Sequence, residues 1–249
     1  METYYDKWYS PVLGRDMEIK VYGRGGKPVL YIPCQNGRFF DFENFGMADA
    51  WASFLETGQA TVFSVDTMDS ETWSDKGGDP YYRIRRHESW IRYITEEVVP
   101  YIRNFCRGYG WECDPGIMTF GCSLGAMHAA NLYFRFPYLF DELLALSGVY
   151  QADYGFDGYM DDVVYLNSPV HYIPNMPYNH SYLPLLRNHR AVICVGQGPW
   201  ELPDYTRALQ YALVEKGIPA WVDYWGWDVA HDWPWWFKQV NYFVPELLK

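Results

Sequence analysis

Short apolar runs alternate with longer amphipathic segments along most of the chain. Residues 17–23 alternate between apolar and polar side chains, as a half-exposed β-strand does. The longer segments repeat apolar residues at helical spacing, and two of them, 39–58 and 204–216, end at or just before a glycine. The pattern predicts strands at 17–23, 28–33, 61–65, 116–120, 143–146, 191–195 and 220–224. It predicts helices in the later half of 39–58, at 82–106, 126–134 and 204–216, and after 232.

Strands that alternate with helices are typical of an α/β protein with a mainly parallel central sheet and helices on both faces. The helical segment 82–106 contains Pro100, which predicts a kink or a division into two helices. Residues 149–187 break the alternation, contain seven tyrosines and hold one predicted helix near 161–166. We interpret them as a small aromatic-rich insertion over the crevice at the strand ends of a single α/β domain that spans 1–249.

Polar loops follow four of the predicted strands. Because the carboxyl ends of parallel strands meet at one edge of a sheet, we expect these loops to surround the same crevice as the loop after strand 116–120. The four loops are 34–38, 66–73, 197–204 and 225–232.

Composition narrows the classes of partner. The chain has 249 residues and a net charge of −11, which disfavours nucleic acid and anionic membrane surfaces as partners. Aromatic residues make up 20% of the chain, with 12 Trp and 23 Tyr, which is more than a core needs. Some of these rings are therefore expected to line a cleft or a contact surface. Whether the protein forms a homo-oligomer is left open.

The five cysteines are odd in number and form no Cys-x-x-Cys pair or zinc-finger spacing. Buried, reduced thiols are therefore predicted, as in a cytoplasmic protein. The N-terminal residues have no basic and apolar leader pattern, and no stretch approaches the roughly 20 apolar residues of a membrane span. A soluble, cytoplasmic protein is expected. The cysteines are Cys34, Cys106, Cys113, Cys122 and Cys194.

The motif Gly121-Cys122-Ser123-Leu124-Gly125 lies between a predicted strand and a predicted helix. This is the Gly-x-Ser-x-Gly pattern in the strand–turn–helix context of a nucleophile elbow. The two glycines lack a Cβ, so that strand and helix can pack closely around Ser123. Ser123 is therefore the predicted nucleophile, whereas the neighbouring Cys122 is expected to point into the core.

A serine nucleophile needs a base, and His231 is the predicted one. It lies in the loop after the last strand and follows Ser123 in the chain, as the base of an α/β-hydrolase does. The other imidazoles are expected to be structural or exposed, and the one five residues after Ser123 to pack inside. These are His87, His128, His171, His180 and His189.

An acid that orients His231 should lie between Ser123 and His231, in a loop after a strand. Glu201 meets this condition directly after strand 191–195. Asp204 is the alternative, although it also suits the N-cap of the next helix. Asp228 is so close to His231 in sequence that a role in shaping the loop is favoured.

An oxyanion needs two N–H donors, which the backbone can supply. One is predicted at Leu124 and the other in the loop after strand 28–33, at Gln35 or Asn36. No metal-ligand spacing and no phosphate-binding loop is present, so no metal and no cofactor are predicted. The Gly-rich stretch 21–26 lacks the P-loop Lys-Ser/Thr and is predicted to be a hairpin turn.

At these residues the chain resembles the putative esterase family of the α/β-hydrolase superfamily. The family includes S-formylglutathione hydrolases, feruloyl and acetyl-xylan esterases, and mycobacterial mycolyltransferases. The resemblance implies the α/β-hydrolase fold from about residue 15 onward, with Ser123 as nucleophile, His231 as base, Glu201 as acid, and backbone donors at Leu124 and near 35–36. The insertion at 149–187 matches no particular subfamily. The matching residues are the elbow, Glu-Glu-Val-Val-Pro-Tyr-Ile at 96–102, His231-Asp232-Trp233 and the interval from Glu201 to His231.

The sequence therefore predicts a serine carboxylic-ester hydrolase that acts on a small-molecule ester through an acyl-enzyme. Two alternatives stay open at this point. One is an acyltransferase or thioesterase that uses the same acyl-enzyme with another acceptor. The other is a hydrolase-fold binding protein that does not use these residues for catalysis.

Overall fold

An eight-stranded sheet forms the centre of the molecule, a computed structural model that describes residues 1–111 and 116–249. The strands are ordered β1-β2-β4-β3-β5-β6-β7-β8. From β4 through β8 in that order neighbours are parallel, whereas β2 pairs antiparallel with β1 and with β4. The strands are β1 Thr3–Ser10, β2 Arg15–Tyr22, β3 Lys27–Ile32, β4 Ala60–Val65, β5 Ile117–Cys122, β6 Phe140–Leu146, β7 Arg190–Val195 and β8 Trp221–Tyr224.

Helices cover both faces of this sheet. One buried apolar cluster joins the sheet to α2 and α11, and the other joins it to α3, α4, α5 and α10. The predicted class, a mainly parallel sheet between helical layers, is confirmed. The helices are α1 Asp41–Asn44, α2 Met47–Glu56, α3 Pro80–Tyr93, α4 Val99–Gly108, α5 Leu124–Arg135, α6 Asp153–Phe156, α7 Asp162–Leu166, α8 Pro169–Tyr172, α9 Leu183–Asn188, α10 Pro203–Lys216 and α11 Trp233–Leu247.

Two local features differ from the sequence-based expectation. β1 was not predicted, because aromatic side chains occupy both of its faces: Trp8 packs on the core, while Tyr5 and Tyr9 are exposed. No period-two hydrophobic pattern therefore marks this strand. The prediction of a hairpin turn at 21–26 is wrong, since β2 and β3 do not pair with each other and each pairs with β4.

The helix predicted at 82–106 is divided as its proline suggests. A single π-helical turn, Ile94–Val98, joins α3 to α4, and Pro100 lies in the first turn of α4. Because helical backbone continues through this π turn, Pro100 interrupts the hydrogen-bond ladder there, since proline has no N–H to donate to the preceding turn. Glu97 of the π turn accepts hydrogen bonds from Trp8 Nε1 (2.8 Å) and Ser10 Oγ (2.7 Å), which attaches β1 to the helical layer.

The segment 149–187 folds into the short helices α6 to α9. The helix predicted near 161–166 is observed as α7, and the Asp161 carboxylate caps it by accepting from the N–H groups of Val163 and Val164. Buried side chains of this segment, among them Ile173 and Leu186, join the apolar cluster beneath α5. That 1–249 forms a single domain stays a prediction.

The described cysteines fit the prediction of reduced thiols. Cys34, Cys122 and Cys194 are free, and burial raises the pKa of the Cys34 thiol to about 12. Cys113 lies outside the described residues. Among the described residues no helix has both the length and the hydrophobicity to cross a lipid bilayer. No three His, Cys, Asp or Glu side chains within 1–111 and 116–249 cluster as metal ligands.

Candidate active site

Ser123 occupies the turn between β5 and α5 with φ 57° and ψ −128°. A Cβ on Gly121 would lie 2.3 Å from the Gly125 carbonyl, and one on Gly125 would lie 2.3 Å from the Ile32 carbonyl oxygen. Only glycine fits at either position, because non-bonded heavy atoms do not approach each other this closely. Steric contacts therefore explain the two glycines of the motif. The turn places the half-buried Ser123 at the carboxyl end of the sheet.

The predicted base lies against this serine. His231 Nε2 is 2.9 Å from Ser123 Oγ, although 108 residues separate the two in sequence. The Trp236 ring packs against the imidazole in a T-shaped arrangement, with ring centroids 5.1 Å apart. Among the described residues this is the imidazole that forms a side-chain hydrogen bond with Ser123, and His128 is buried as predicted.

Glu201, rather than Asp204, faces the imidazole. Glu201 Oε2 is 3.3 Å from His231 Nδ1, and the Glu201 side chain is 1% exposed. Asp204 lies inside α10 with a 92% exposed side chain that pairs with Arg207, and Leu202 instead of Asp204 is at the N-cap. Asp228 is exposed in the loop before His231.

Backbone hydrogen bonds join the loop of Glu201 to the loop of His231. The Gly198 N–H donates to the Val229 carbonyl (2.9 Å), and the His231 N–H donates to the Pro199 carbonyl (3.0 Å). A Cβ on Gly198 would lie 2.6 Å from the Val229 oxygen, so this close approach requires glycine. The relative position of acid and base is thus set by main-chain geometry.

Ser147 belongs to this arrangement and was missed in the sequence. It follows β6 with φ 56°, and its hydroxyl donates to Glu201 Oε1 (2.7 Å) while accepting from Trp236 Nε1 (3.0 Å). The Gly196 N–H also donates to Oε1, at 3.2 Å. Because Oε1 is occupied in this way, Oε2 is left to face His231. One signal in the sequence could have identified Ser147: it is a polar residue that directly follows a buried strand, and it lies between Ser123 and Glu201 in the chain.

The predicted oxyanion donors are the backbone N–H groups of Leu124 and of Gln35 or Asn36. Leu124 is the first residue of α5, so its N–H has no carbonyl acceptor within the helix. Gln35 and Leu124 line the same small cavity as Ser123. The Asn36 N–H instead donates to Asp69 Oδ2 at 3.1 Å, which leaves Gln35 as the available one of the two alternatives.

That cavity has a volume of about 240 Å³. Val149 and Tyr154 of the aromatic-rich segment form part of its wall, and Trp200 and Leu202 lie at its mouth. Trp200 is 87% exposed and adopts φ 66°, a left-handed conformation that is unusual for a bulky side chain. The site is therefore small inside and aromatic at its rim.

Cys122 is not placed to replace Ser123. Its side chain is fully buried on the opposite side of the turn, and burial raises the pKa of this thiol well above its usual value. A thiol that stays protonated is a poor nucleophile.

The strand order and the polar residues at the carboxyl edge define an α/β-hydrolase fold. The family model described as "Putative esterase" matches residues 10–241, so the chain belongs to that family and is an enzyme acting on carboxylic esters. No curated protein sequence gives a significant match.

Solved structures similar to this chain have low sequence identity. A ferulic acid esterase is 16% identical with a TM-score of 0.74, over 99% of this chain and 98% of the esterase. The S-formylglutathione hydrolase FrmB of Staphylococcus aureus is 14% identical with a TM-score of 0.69, over 100% and 97%. An S-formylglutathione hydrolase of Agrobacterium tumefaciens is 14% identical with a TM-score of 0.73, over 99% and 92%. At this identity the likeness shows a shared fold.

Proposed function

We propose that this esterase is a serine hydrolase that acts through an acyl-enzyme, with Ser123, His231 and Glu201 as its triad. The observation that carries the proposal is the continuous chain of contacts from Ser123 Oγ to His231 Nε2 and from His231 Nδ1 to Glu201 Oε2, at 2.9 Å and 3.3 Å. A buried carboxylate beside Nδ1 holds the imidazole in the tautomer whose Nε2 can accept a proton.

In the proposed reaction Ser123 Oγ attacks the acyl carbon while His231 Nε2 takes the hydroxyl proton. The Glu201 carboxylate stabilises the imidazolium that forms. The Leu124 and Gln35 N–H groups donate to the oxyanion, a contribution of about 10²–10³ in rate per donor. His231 then protonates the leaving alcohol, and a water activated by the same imidazole hydrolyses the acyl-enzyme.

The acyl-enzyme is tested by stopped-flow kinetics with p-nitrophenyl acetate. We expect a burst of p-nitrophenol equal to about one mole per mole of enzyme, followed by a slower steady rate, because acylation precedes hydrolysis of the intermediate. Turnover without a burst at any substrate concentration, with no acyl group found on the quenched protein, would argue against the proposal. Added methanol separates the alternatives, since an acyltransferase forms the methyl ester faster than the free acid.

Trp200 is expected to contact the part of the substrate outside the cavity. Replacing it with alanine should raise KM for p-nitrophenyl esters about 2–10-fold at nearly unchanged kcat, because an aromatic contact contributes about 0.5–1.5 kcal/mol. Trp227→Ala is the matched control, since Trp227 is 76% exposed and does not line the cavity. Equal KM values for all three proteins, or an equal effect of both substitutions, would contradict the assignment.

A further inference from the structure

A buried carboxylate lies behind the loop that carries Gln35. Asp69 begins a short 3₁₀ turn, Asp69–Glu71, and is 1% exposed. Its Oδ2 accepts the Asn36 N–H at 3.1 Å, and its Oδ1 lies 2.9 Å from His128 Nε2. One carboxylate therefore contacts both the loop after β3 and the helix α5.

Further hydrogen bonds join the loop after β3 to the loop that contains Asp69. Thr67 donates to the Gly37 carbonyl from its N–H (3.3 Å) and its Oγ1 (3.0 Å), and Gln35 Nε2 donates to Ser74 Oγ (2.7 Å). Asn36 between them has φ 60°, a left-handed conformation that asparagine adopts more readily than most other residues, and Asp69 accepts its N–H. The bond to Asp69 supports Asn36 at the residue next to Gln35.

His128 connects the same carboxylate to the nucleophile side. It lies on α5 five residues after Ser123 and is 1% exposed, with the Trp73, Trp90 and His87 rings at centroid distances of 5.5, 5.3 and 4.9 Å. Its Nδ1 has no hydrogen-bond partner among the described residues. The tautomer with the proton on Nε2 fits best, because it donates to Asp69 and leaves only an acceptor unpaired.

The ion-pair partner of Asp69 is of the same kind as that of Glu201 and differs from the partners of the other buried carboxylates. Asp66 and Glu142, two other buried carboxylates, form ion pairs with arginine, Arg38 and Arg190 respectively. Asp69 and Glu201 have histidine as their ion-pair partner in the described structure. A buried carboxylate without a permanent cation is costly for the fold, and apolar side chains of similar size are often as stable. Stabilisation of the fold alone therefore does not explain why an aspartate occupies position 69.

We propose that Asp69 is a positioning residue that fixes the two oxyanion donors relative to each other. It holds the Gln35 N–H through Asn36, and it holds the Leu124 N–H through His128 and α5. The inference rests on the proposed acyl-enzyme mechanism, because it concerns the donors of that mechanism. A donor that shifts away from the oxyanion loses transition-state stabilisation while ground-state binding changes little.

The test compares Asp69→Ala with Asp69→Asn on an ester and on its thionoester, in which sulfur replaces the carbonyl oxygen. Rates are normalised to the Ser123 sites that a fluorophosphonate titrates, so that misfolded protein does not count. We expect Asp69→Ala to lower kcat for the ester about 10–100-fold with KM changed less than about 3-fold. The ester-to-thionoester rate ratio should fall by a similar factor, since sulfur is a weak acceptor that gains little from the donors.

Asp69→Asn should keep kcat within about 5-fold of wild type. Its amide oxygen can still accept from Asn36, and its NH₂ group can donate to His128 in the other tautomer.

Glu88→Ala is the control for a structural effect, because Glu88 pairs with Arg135 of the same helix α5 (2.7 Å) without contacting the loop after β3. It should leave the ester-to-thionoester ratio unchanged. If Asp69→Ala does not fold, His128→Gln, which keeps a donor, is compared with His128→Leu, which does not.

The outcomes separate the two proposals. An active wild type whose Asp69→Ala or His128→Leu variant keeps the wild-type rate ratio overturns the positioning role and leaves the acyl-enzyme standing. A wild type that turns over esters without labelling at Ser123 overturns both. A ratio that falls in Asp69→Ala and recovers in Asp69→Asn supports the positioning role.

Discussion

Replacing Ser123 with alanine is expected to lower kcat for p-nitrophenyl acetate about 10⁴–10⁶-fold, the loss typical of a serine nucleophile. The variant should fold as wild type does, because the hydroxyl is half-buried and its contact is to His231. KM should change little, since the cavity walls stay in place. The measurement is steady-state kinetics together with thermal unfolding of both proteins.

Cys122→Ala is the matched control for this substitution. Both residues belong to the same turn, but the Cys122 side chain is fully buried in the cluster with Phe120 and Cys194. Its loss should cost about 1 kcal/mol of unfolding free energy and leave kcat within about 3-fold of wild type. An active Ser123→Ala variant, or an inactive but folded Cys122→Ala variant, would contradict Ser123 as the nucleophile.

Glu201→Gln is expected to lower kcat about 10²–10⁴-fold, because a neutral amide no longer stabilises the imidazolium and can hold the wrong tautomer. Ser147 Oγ and the Gly196 N–H, which now donate to Oε1, can still position the amide oxygen, so the fold should be preserved. Kinetics at a pH where wild-type activity is constant measure the effect.

Asp204→Asn is the control that separates the two acids which the sequence allows. Its side chain is 92% exposed and contacts Arg207, so its kcat should equal that of wild type within about 2-fold. If Asp204→Asn lost activity while Glu201→Gln kept it, the acid of the proposed triad would be Asp204.

The sequence predicted those parts of the site that depend on contacts between residues close together in the chain or on the general arrangement of a parallel sheet. Glycine at 121 and 125 is required by contacts within one turn and with the adjacent strand, and such a turn leaves a recognisable motif. His231 and Glu201 could be placed because the loops after parallel strands meet at one edge of the sheet. Their order along the chain agreed with that expectation, but it left Asp204 open as an alternative acid.

Residues that act across the fold could not be predicted in the same way. Ser147 and Asp69 each contact residues more than 30 positions away, and nothing in their immediate sequence marks those contacts. The choice between Gln35 and Asn36 likewise depended on Asp69, which engages one of the two N–H groups. β1 was missed because its stabilising contacts, such as Trp8 with Glu97, are long-range and its own pattern is irregular.

A fluorophosphonate adduct mapped by mass spectrometry shows whether Ser123 is the activated nucleophile. We expect one adduct per chain on the peptide that contains Ser123, present in Cys122→Ala and absent from Ser123→Ala. A folded protein that does not react, or one whose adduct lies on any other residue, would rule out Ser123 as the nucleophile.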